Sequence, residues 1–386
     1  MSKTKMIALL TIFFDILGLT IMIPAIPGLA TEYQVSYTMI TLGSTLFALF
    51  GLFSTPLLGG LSDKIGRKPI IIISMIGSMI TYFAIALSHN IWMYLIGMII
   101  NGITAGNIWA AQSILSDVAK TAKERTNNLG LFGMIFGLGF IIGPIIWAIA
   151  LKTGDHGPFR VSGILAAMNI LSAFLFLKET HTDRHEHKDI KLNIVHIFKD
   201  MVIGKERIYY LIFFLMNLGI MVYQSTYLLY LDKNFDLPGS KWWFVLGAYG
   251  LIMILNQAIL FKKVRLKLSG KTLIYISFIG FITCYLGAFL FPFKRAVIIL
   301  IGITAIFQWI FRPVMQNLVL WENKNVWLIN GNLININNIA SIFWPIIGGI
   351  LLDTNISPFA LSATTIAIAF FIYTRITEHR SHSIGH

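Results

Sequence analysis

Asp15 is the only acid in this chain that falls deep inside a long apolar run, Met6–Ile26. In a helix it stands about nine residues, roughly 14 Å, from the start of its span. An ionisable group near the middle of a hydrocarbon layer costs about 2.5–3.5 kcal/mol on insertion scales, so it is seldom present without a use. Two uses fit: carrying a proton, or hydrogen-bonding a neighbouring helix. A carboxyl in a low-dielectric site favours its protonated form, the condition for loading a proton on one side and releasing it on the other. The second such group is Arg312, followed by Pro313 and Gln316. Its guanidinium can recognise a carboxylate or phosphate through paired donors, or it can snorkel to the membrane face, about 24 Å from the far end of its span. Amides recur within apolar runs: Asn107, Gln112, Asn217, Gln224, Asn256, Gln257, Gln308, Asn335, Asn337 and Asn338. Singly each reads as glue between helices; as a set they describe a wet, neutral cavity. No His-Glu-x-x-His, nucleophile elbow or Walker loop occurs, and the lone Cys284 allows neither a disulfide nor a thiolate ligand pair. No cofactor or metal site is expected. His181, His185 and His187 have a metal-binding alternative, but a solvated charged segment accounts for them. A membrane enzyme or receptor is therefore the least supported class.

The frame that must hold these side chains is apolar helix. Hydrophobic residues make up 56% of the chain and charged residues 12%, against about 25% charged in soluble domains. Twelve apolar runs follow one another at about 6–27, 37–59, 70–88, 91–116, 128–151, 158–177, 208–231, 242–262, 272–292, 296–318, 327–352 and 357–376. Each is long enough, or nearly so, to cross a bilayer as a helix. The basic start Met1–Lys5 leads into a run too long for a signal-peptide core, so it reads as a retained first span. An even number of spans puts both termini on one side. With the N-terminus inside, 23 of the 30 Lys and Arg fall in inner loops and tails, six in outer loops, and Arg312 within a span. That asymmetry is the positive-inside rule. The net charge of +13 thus sets orientation and does not recruit nucleic acid. The fold expected is all-α and integral to the membrane, with twelve spans in two six-helix, pseudo-symmetric halves. Residues 1–177 and 208–386 form the halves. Residues 178–207, rich in both charges and in His, form a cytoplasmic linker. Asp189–Met201 has apolar residues at helical spacing and reads as a surface helix.

Between the second and third runs lies Gly59-Gly-Leu-Ser-Asp-Lys-Ile-Gly-Arg-Lys-Pro69. Its Gly59, Leu61, Ser62, Asp63, Lys64, Gly66, Arg67 and Lys68 resemble the loop between helices 2 and 3 of the major facilitator superfamily, Gly-x-Leu-Ala-Asp-Arg-x-Gly-Arg-Lys. Leu17-Gly18 with Pro24 and Pro27 is similar to the first-helix pattern of the drug:proton antiporter branch. The two prolines are expected to end that helix, where a missing N–H matters least. The fifth span, Gly133-Met-Ile-Phe-Gly-Leu-Gly139-Phe-Ile-Ile-Gly143-Pro144, resembles the antiporter glycine signature, whose last two glycines are here Trp147 and Ala148. Its small residues four apart admit a close neighbour helix. A partial echo, Trp344-Pro345-Ile-Ile-Gly348-Gly349, stands in the eleventh span.

Pro158-Phe159, the segment Lys178-Glu179-Thr180-His181 and the order of polar residues in spans 8, 10 and 11 look most like the tetracycline-type exporters of that branch. The resemblance implies a secondary transporter working by alternating access, with its site near the midplane between halves. It also implies proton-coupled efflux of a small organic solute. Export or import of an anionic metabolite or carboxylate siderophore, and uncoupled facilitation, stay open. Gly59, Asp63, Gly66, Arg67 and Lys68 are expected to gate, with Asp63 facing the start of the eleventh span around 328–332, where a helix dipole favours a carboxylate. Asp15 is expected to carry the proton, and Gly139, Gly143 and Pro144 to form the antiporter-type bend. Asn107, Gln112, Asn217, Gln224, Gln257, Arg312, Gln316 and Asn337 are the candidate cavity residues. Met98 replaces the antiporters' helix-4 Arg, and Thr81, Gly280 and Met253 replace the tetracycline exporters' two acids and His. Tetracycline is therefore an unexpected cargo. The partners expected are a small-molecule substrate, protons and the lipid bilayer, with no nucleic acid. The protein is expected to act as a monomer, in the inner membrane if bacterial, with both termini cytoplasmic.

Overall fold

The computed structural model describes residues 3–119, 121–180, 207–235, 242–255, 269–322 and 326–383, and some side chains within these helices lie outside the described set. The described chain is helical: α1 (Lys3–Met22), α2 (Ile26–Glu32), α3 (Tyr37–Ile65), α4 (Arg67–Ala86), α5 (Ile91–Ile103), α6 (Asn107–Asp117), α7 (Ala122–Ala150), α8 (Gly157–Phe176), α9 (Arg207–Phe235), α10 (Trp242–Leu255), α11 (Gly270–Leu290), α12 (Lys294–Glu322), α13 (Val326–Asp353) and α14 (Pro358–Ser383). Among the described residues nine helices are long and apolar enough to cross a membrane. Starts are set locally. The side chains of Ser36, Asn90, Thr121 and Ser269 each accept from the backbone N–H three residues on, satisfying a donor that the first turn leaves unpaired.

Two expected boundaries are corrected. Pro24 and Pro27 do not end the first span. The chain tightens into a 3₁₀ turn, Ile23–Ala25, and resumes as α2, with a proline in the first two positions of each segment. An N–H is dispensable there, so proline is tolerated. The fourth run is not continuous either: it breaks between Ile103 and Asn107 into α5 and α6. The break frees carbonyls that α3 takes up. Ser54 Oγ donates to Gly102 O at 2.6 Å, and Thr55 Oγ1 donates to Ala105 O at 3.1 Å.

By packing, the chain divides into two compact units, Met1–Leu192 with Asp236–Ala258, and Asn193–Phe235 with Ile259–His386. In the first, α1 packs on α7 and α8, α4 on α5 and α8, α3 on α5, and α7 on α10. Small residues permit this closeness, because lipid offers no hydrophobic drive for helix association. A Cβ on Gly250 would lie 2.7 Å from the Gly137 carbonyl, so α7 and α10 meet backbone to backbone. At the end away from the α3–α4 turn, His156 joins three segments: Nδ1 to Ile85 O at 2.8 Å and Nε2 to Glu32 Oε1 at 2.7 Å.

In the second unit α9 packs on α13 and α14, and α11 on α12 and α14. Its core is aromatic. Tyr223 lies 5.5 Å from Tyr285, Tyr230 4.7 Å from Phe359, and Phe278 5.5 Å from Phe311, ring centre to ring centre. Such pairs add about 0.5–1.5 kcal/mol each beyond their burial. Outward, Ile164, Met168, Leu171 and Leu175 form an exposed stripe along α8. Water would penalise that stripe; lipid does not.

Candidate gate and coupling site

The α3–α4 turn is built around one glycine. α3 runs on through the charged motif to Ile65 and closes with Gly66 N–H donating to Ser62 O at 3.1 Å. Gly66 then takes φ +109°, a region closed to most side chains, and α4 starts at Arg67. This kink lets Arg67 reach back: Nη1 lies 2.6 Å from Asp63 Oδ1 and donates to Ser62 Oγ at 2.9 Å. Asp63 sits in the last turn of α3, where the dipole disfavours an anion, and the guanidinium offsets this. Arg67 Nε also reaches Asp117 Oδ2, at the end of α6, at 3.4 Å. Arg67 is largely enclosed, with its side chain 14% exposed against 39% for Asp63.

Glu179, just beyond α8, faces the same turn. Its Oε1 accepts from Arg67 N–H at 2.9 Å and its Oε2 from Lys68 N–H at 3.1 Å. Lys68 Nζ in turn donates to Phe174 O at 2.7 Å and lies 5.6 Å over the Phe174 ring. Thr180 Oγ1 donates to Asp117 Oδ2 at 3.5 Å. Asp63, Gly66, Arg67 and Lys68 are thus brought together, while Gly59 opens on space. Sequence reasoning missed Glu179 and Asp117 here. The acid at the end of the fourth span was the only local signal, and no spacing rule links residue 179 to residue 67.

Asp15 is half-buried in α1, and that helix is pinned on both sides of it. Asn169 Nδ2 donates to Thr11 O at 2.9 Å, and Ser162 Oγ donates to Gly18 O at 3.0 Å, both from α8. The Tyr82 ring of α4 lies against Gly18, three residues on from Asp15. Two residues further on, Thr20 Oγ1 donates to Gly139 O at 3.0 Å, and a Cβ on Gly143 would strike Thr20. Gly139 and Gly143 of α7 therefore admit α1. Met98 is buried, and Thr81 ties α4 to α5 by donating to Gly97 O at 2.7 Å.

The remaining candidates are not gathered into one described cluster. Asn217 is buried and donates to Phe213 O in its own helix at 2.7 Å. Gln224 is the single exposed position between Ile212 and Leu231 of α9, and its Nε2 lies 3.4 Å from Gln308 Oε1 on α12. Asn337 has a buried Oδ1 without a partner among the described residues. Asn107, Gln112, Arg312 and Gln316 lie on α6 and α12, but their side chains are outside the described residues. So are the side chains around 328–332, and the whole of Gln257, His181, His185, His187 and the Asp189–Met201 segment. Among the described residues no group of three or more His, Cys, Asp or Glu could hold a metal ion.

Long apolar helices, a lipid-facing stripe and a charged clamp at one end of the bundle define an integral, multi-pass membrane protein. Residues 8–322 match the Major Facilitator Superfamily. The chain is 30% identical over 289 residues to the class D tetracycline resistance protein of Salmonella ordonez, covering 74% of this chain and 73% of that one. It is 30% identical over 366 residues to the class H protein of Pasteurella multocida, covering 90% and 88%. The human organic anion transporter MFSD10 (TETRAN) shares the fold, with a TM-score of 0.72 at 18% identity over 96% of this chain and 98% of that one. The chain belongs to the Major Facilitator Superfamily. It is a secondary active transporter of small molecules with the superfamily's twelve-span, two-half fold, and not an enzyme.

Proposed function

We propose that this transporter exports a small organic solute in exchange for protons, and that Asp15 carries the proton. The observation behind this is the placement of Asp15: a half-buried acid in the first span, between two α8 hydrogen bonds to its helix and three residues before Gly18, where the Tyr82 ring packs. In this reading residues 1–177 and 208–386 are the two halves, and 178–207 is the cytoplasmic linker. Asp63, Gly66, Arg67 and Lys68, with Gly59, gate the inner side. Gly139, Gly143 and Pro144 shape the antiporter-type bend of α7. The amides Asn107, Gln112, Asn217, Gln224, Gln257 and Asn337, with Arg312 and Gln316, line the solute's path. The protein works as a monomer without nucleic acid, in the inner membrane if bacterial, with both termini cytoplasmic as the Lys and Arg distribution directs.

The relatives are named for tetracycline resistance. Thr81, Gly280 and Met253 stand where tetracycline exporters carry acids and a His, so the cargo proposed is a different solute. The test is a metabolite and drug screen in proteoliposomes under an imposed pH gradient. At least one solute should accumulate only with the gradient, while tetracycline does not. Accumulation indifferent to the gradient for every transported solute would make the protein a facilitator.

A further inference from the structure

We infer that Glu179 is a positioning residue of the gate, fixing the Arg67 guanidinium by holding the first turn of α4; this rests on the gate reading of Asp63 and Arg67. A helix ordinarily gets its N-terminal cap from the residue just before it. Before α4 that residue is Gly66, which has no side chain and makes no cap. The first two N–H groups of α4 go instead to the two oxygens of Glu179, which lies just beyond the end of α8. Gly66 makes this possible: a Cβ there would land on the Glu179 carboxylate. The exchange is reciprocal. Lys68 of the same turn donates to Phe174 O near the C-terminal end of α8. An anion thus sits at the start of α4 and a cation at the end of α8, the favourable sign for each helix dipole.

The turn so held also aims Arg67. Its backbone N–H is on Glu179 while its side chain spans Asp63 and Asp117. Thr180, next to Glu179, reaches the same Asp117 oxygen that Arg67 Nε reaches. Two acids, Asp63 and Asp117, therefore converge on the guanidinium, and a third, Glu179, holds the backbone from which that guanidinium projects.

The test uses the full-length protein in nanodiscs. Hydrogen exchange at the Arg67 and Lys68 amides should quicken about tenfold in Glu179→Gln and Glu179→Ala, because a charge-assisted acceptor is lost. Glu179→Asp, which keeps the charge, should recover part of the protection. Thermal unfolding midpoints of Glu179→Gln, Asp63→Asn and the double variant then form a cycle. If Glu179 acts through Arg67, the double variant falls short of the sum of the single shifts. Wild-type exchange in Glu179→Gln, or a charge-keeping Glu179→Asp no better than Glu179→Ala, overturns the inference. Additive midpoint shifts overturn it too, since they would leave Glu179 a local cap with no hold on the gate. Neither readout needs transport, so failure here is distinct from a transport screen that stays silent.

Discussion

Gly66 shows how much one residue can decide. Its φ of +109° turns α3 into α4, and the space beside it is filled by Glu179. Gly66→Ala meets both a disfavoured backbone region and a collision, together on the order of 1–3 kcal/mol. The expected result is a lower unfolding midpoint and weaker protection of the Arg67 and Lys68 amides; unchanged values for both would show that the turn relaxes freely. Asp63 is a different case. It is more exposed than Arg67 and pairs with it at the i,i+4 spacing, where an isolated surface pair contributes little. Its proposed importance is in gating, so Asp63→Asn should slow turnover of a substrate found in the gradient screen and leave equilibrium affinity within a few fold. A large loss of affinity with normal cycling would move Asp63 from the gate to the binding site. The sequence motif named Asp63, Gly66, Arg67 and Lys68 because all lie within ten residues. Glu179 was illegible for the opposite reason: its contact with Arg67 spans 112 positions, and only the fold brings the two together.

Spans were legible from apolar run length, and their ends were not always so. Pro24 and Pro27 read as a stop because proline lacks an N–H, yet the chain uses each where that N–H has no partner in any case. The break between α5 and α6 had no apolar gap to announce it. Ser54 and Thr55 on another helix donate to carbonyls at the break, and no local pattern encodes that. The spacing of Gly139 and Gly143 did announce a close crossing, and α1 is the helix that meets it, with Thr20 donating to Gly139 O. Gly143→Val would drive a branched side chain into Thr20. Overpacking of this kind costs about 1–3 kcal/mol, and here it pushes against the helix that carries Asp15. The expected outcome is a lower unfolding midpoint together with reduced gradient-driven transport. Gly143→Ala, the smaller intrusion, should fall between Val and wild type in both. If Gly143→Val and wild type match in both measurements, α1 and α7 are not held at this crossing.

At the scale of the whole molecule, coupling requires that protonation of one group change how easily the transporter carries its cargo across. A ligand shifts a conformational equilibrium only by its differential affinity for the two states, and a proton is no exception. Asp15 is placed to register such a difference. Its helix is fixed to α8 by Asn169 and Ser162 and to α7 by Thr20, with Tyr82 of α4 packed at Gly18, so movement of any of these helices changes the carboxyl's surroundings. The antiporters' helix-4 Arg would bind the ionised form; Met98 stands there, buried and uncharged. Asp15→Asn mimics the neutral carboxyl in shape and hydrogen bonding but cannot release a proton. Two transport modes should then separate. Uphill accumulation under a pH gradient should be abolished, because no proton can be discharged. Substrate exchange at zero gradient should persist, because it needs the binding site and the alternation but no net proton movement. If Asp15→Asn still concentrates substrate when a pH difference is applied, Asp15 is a helix-packing residue and the proton travels elsewhere. If both modes fail while the protein remains folded, Asp15 belongs to the substrate's own site, and binding of the identified solute to the variant, measured without transport, would show the loss directly.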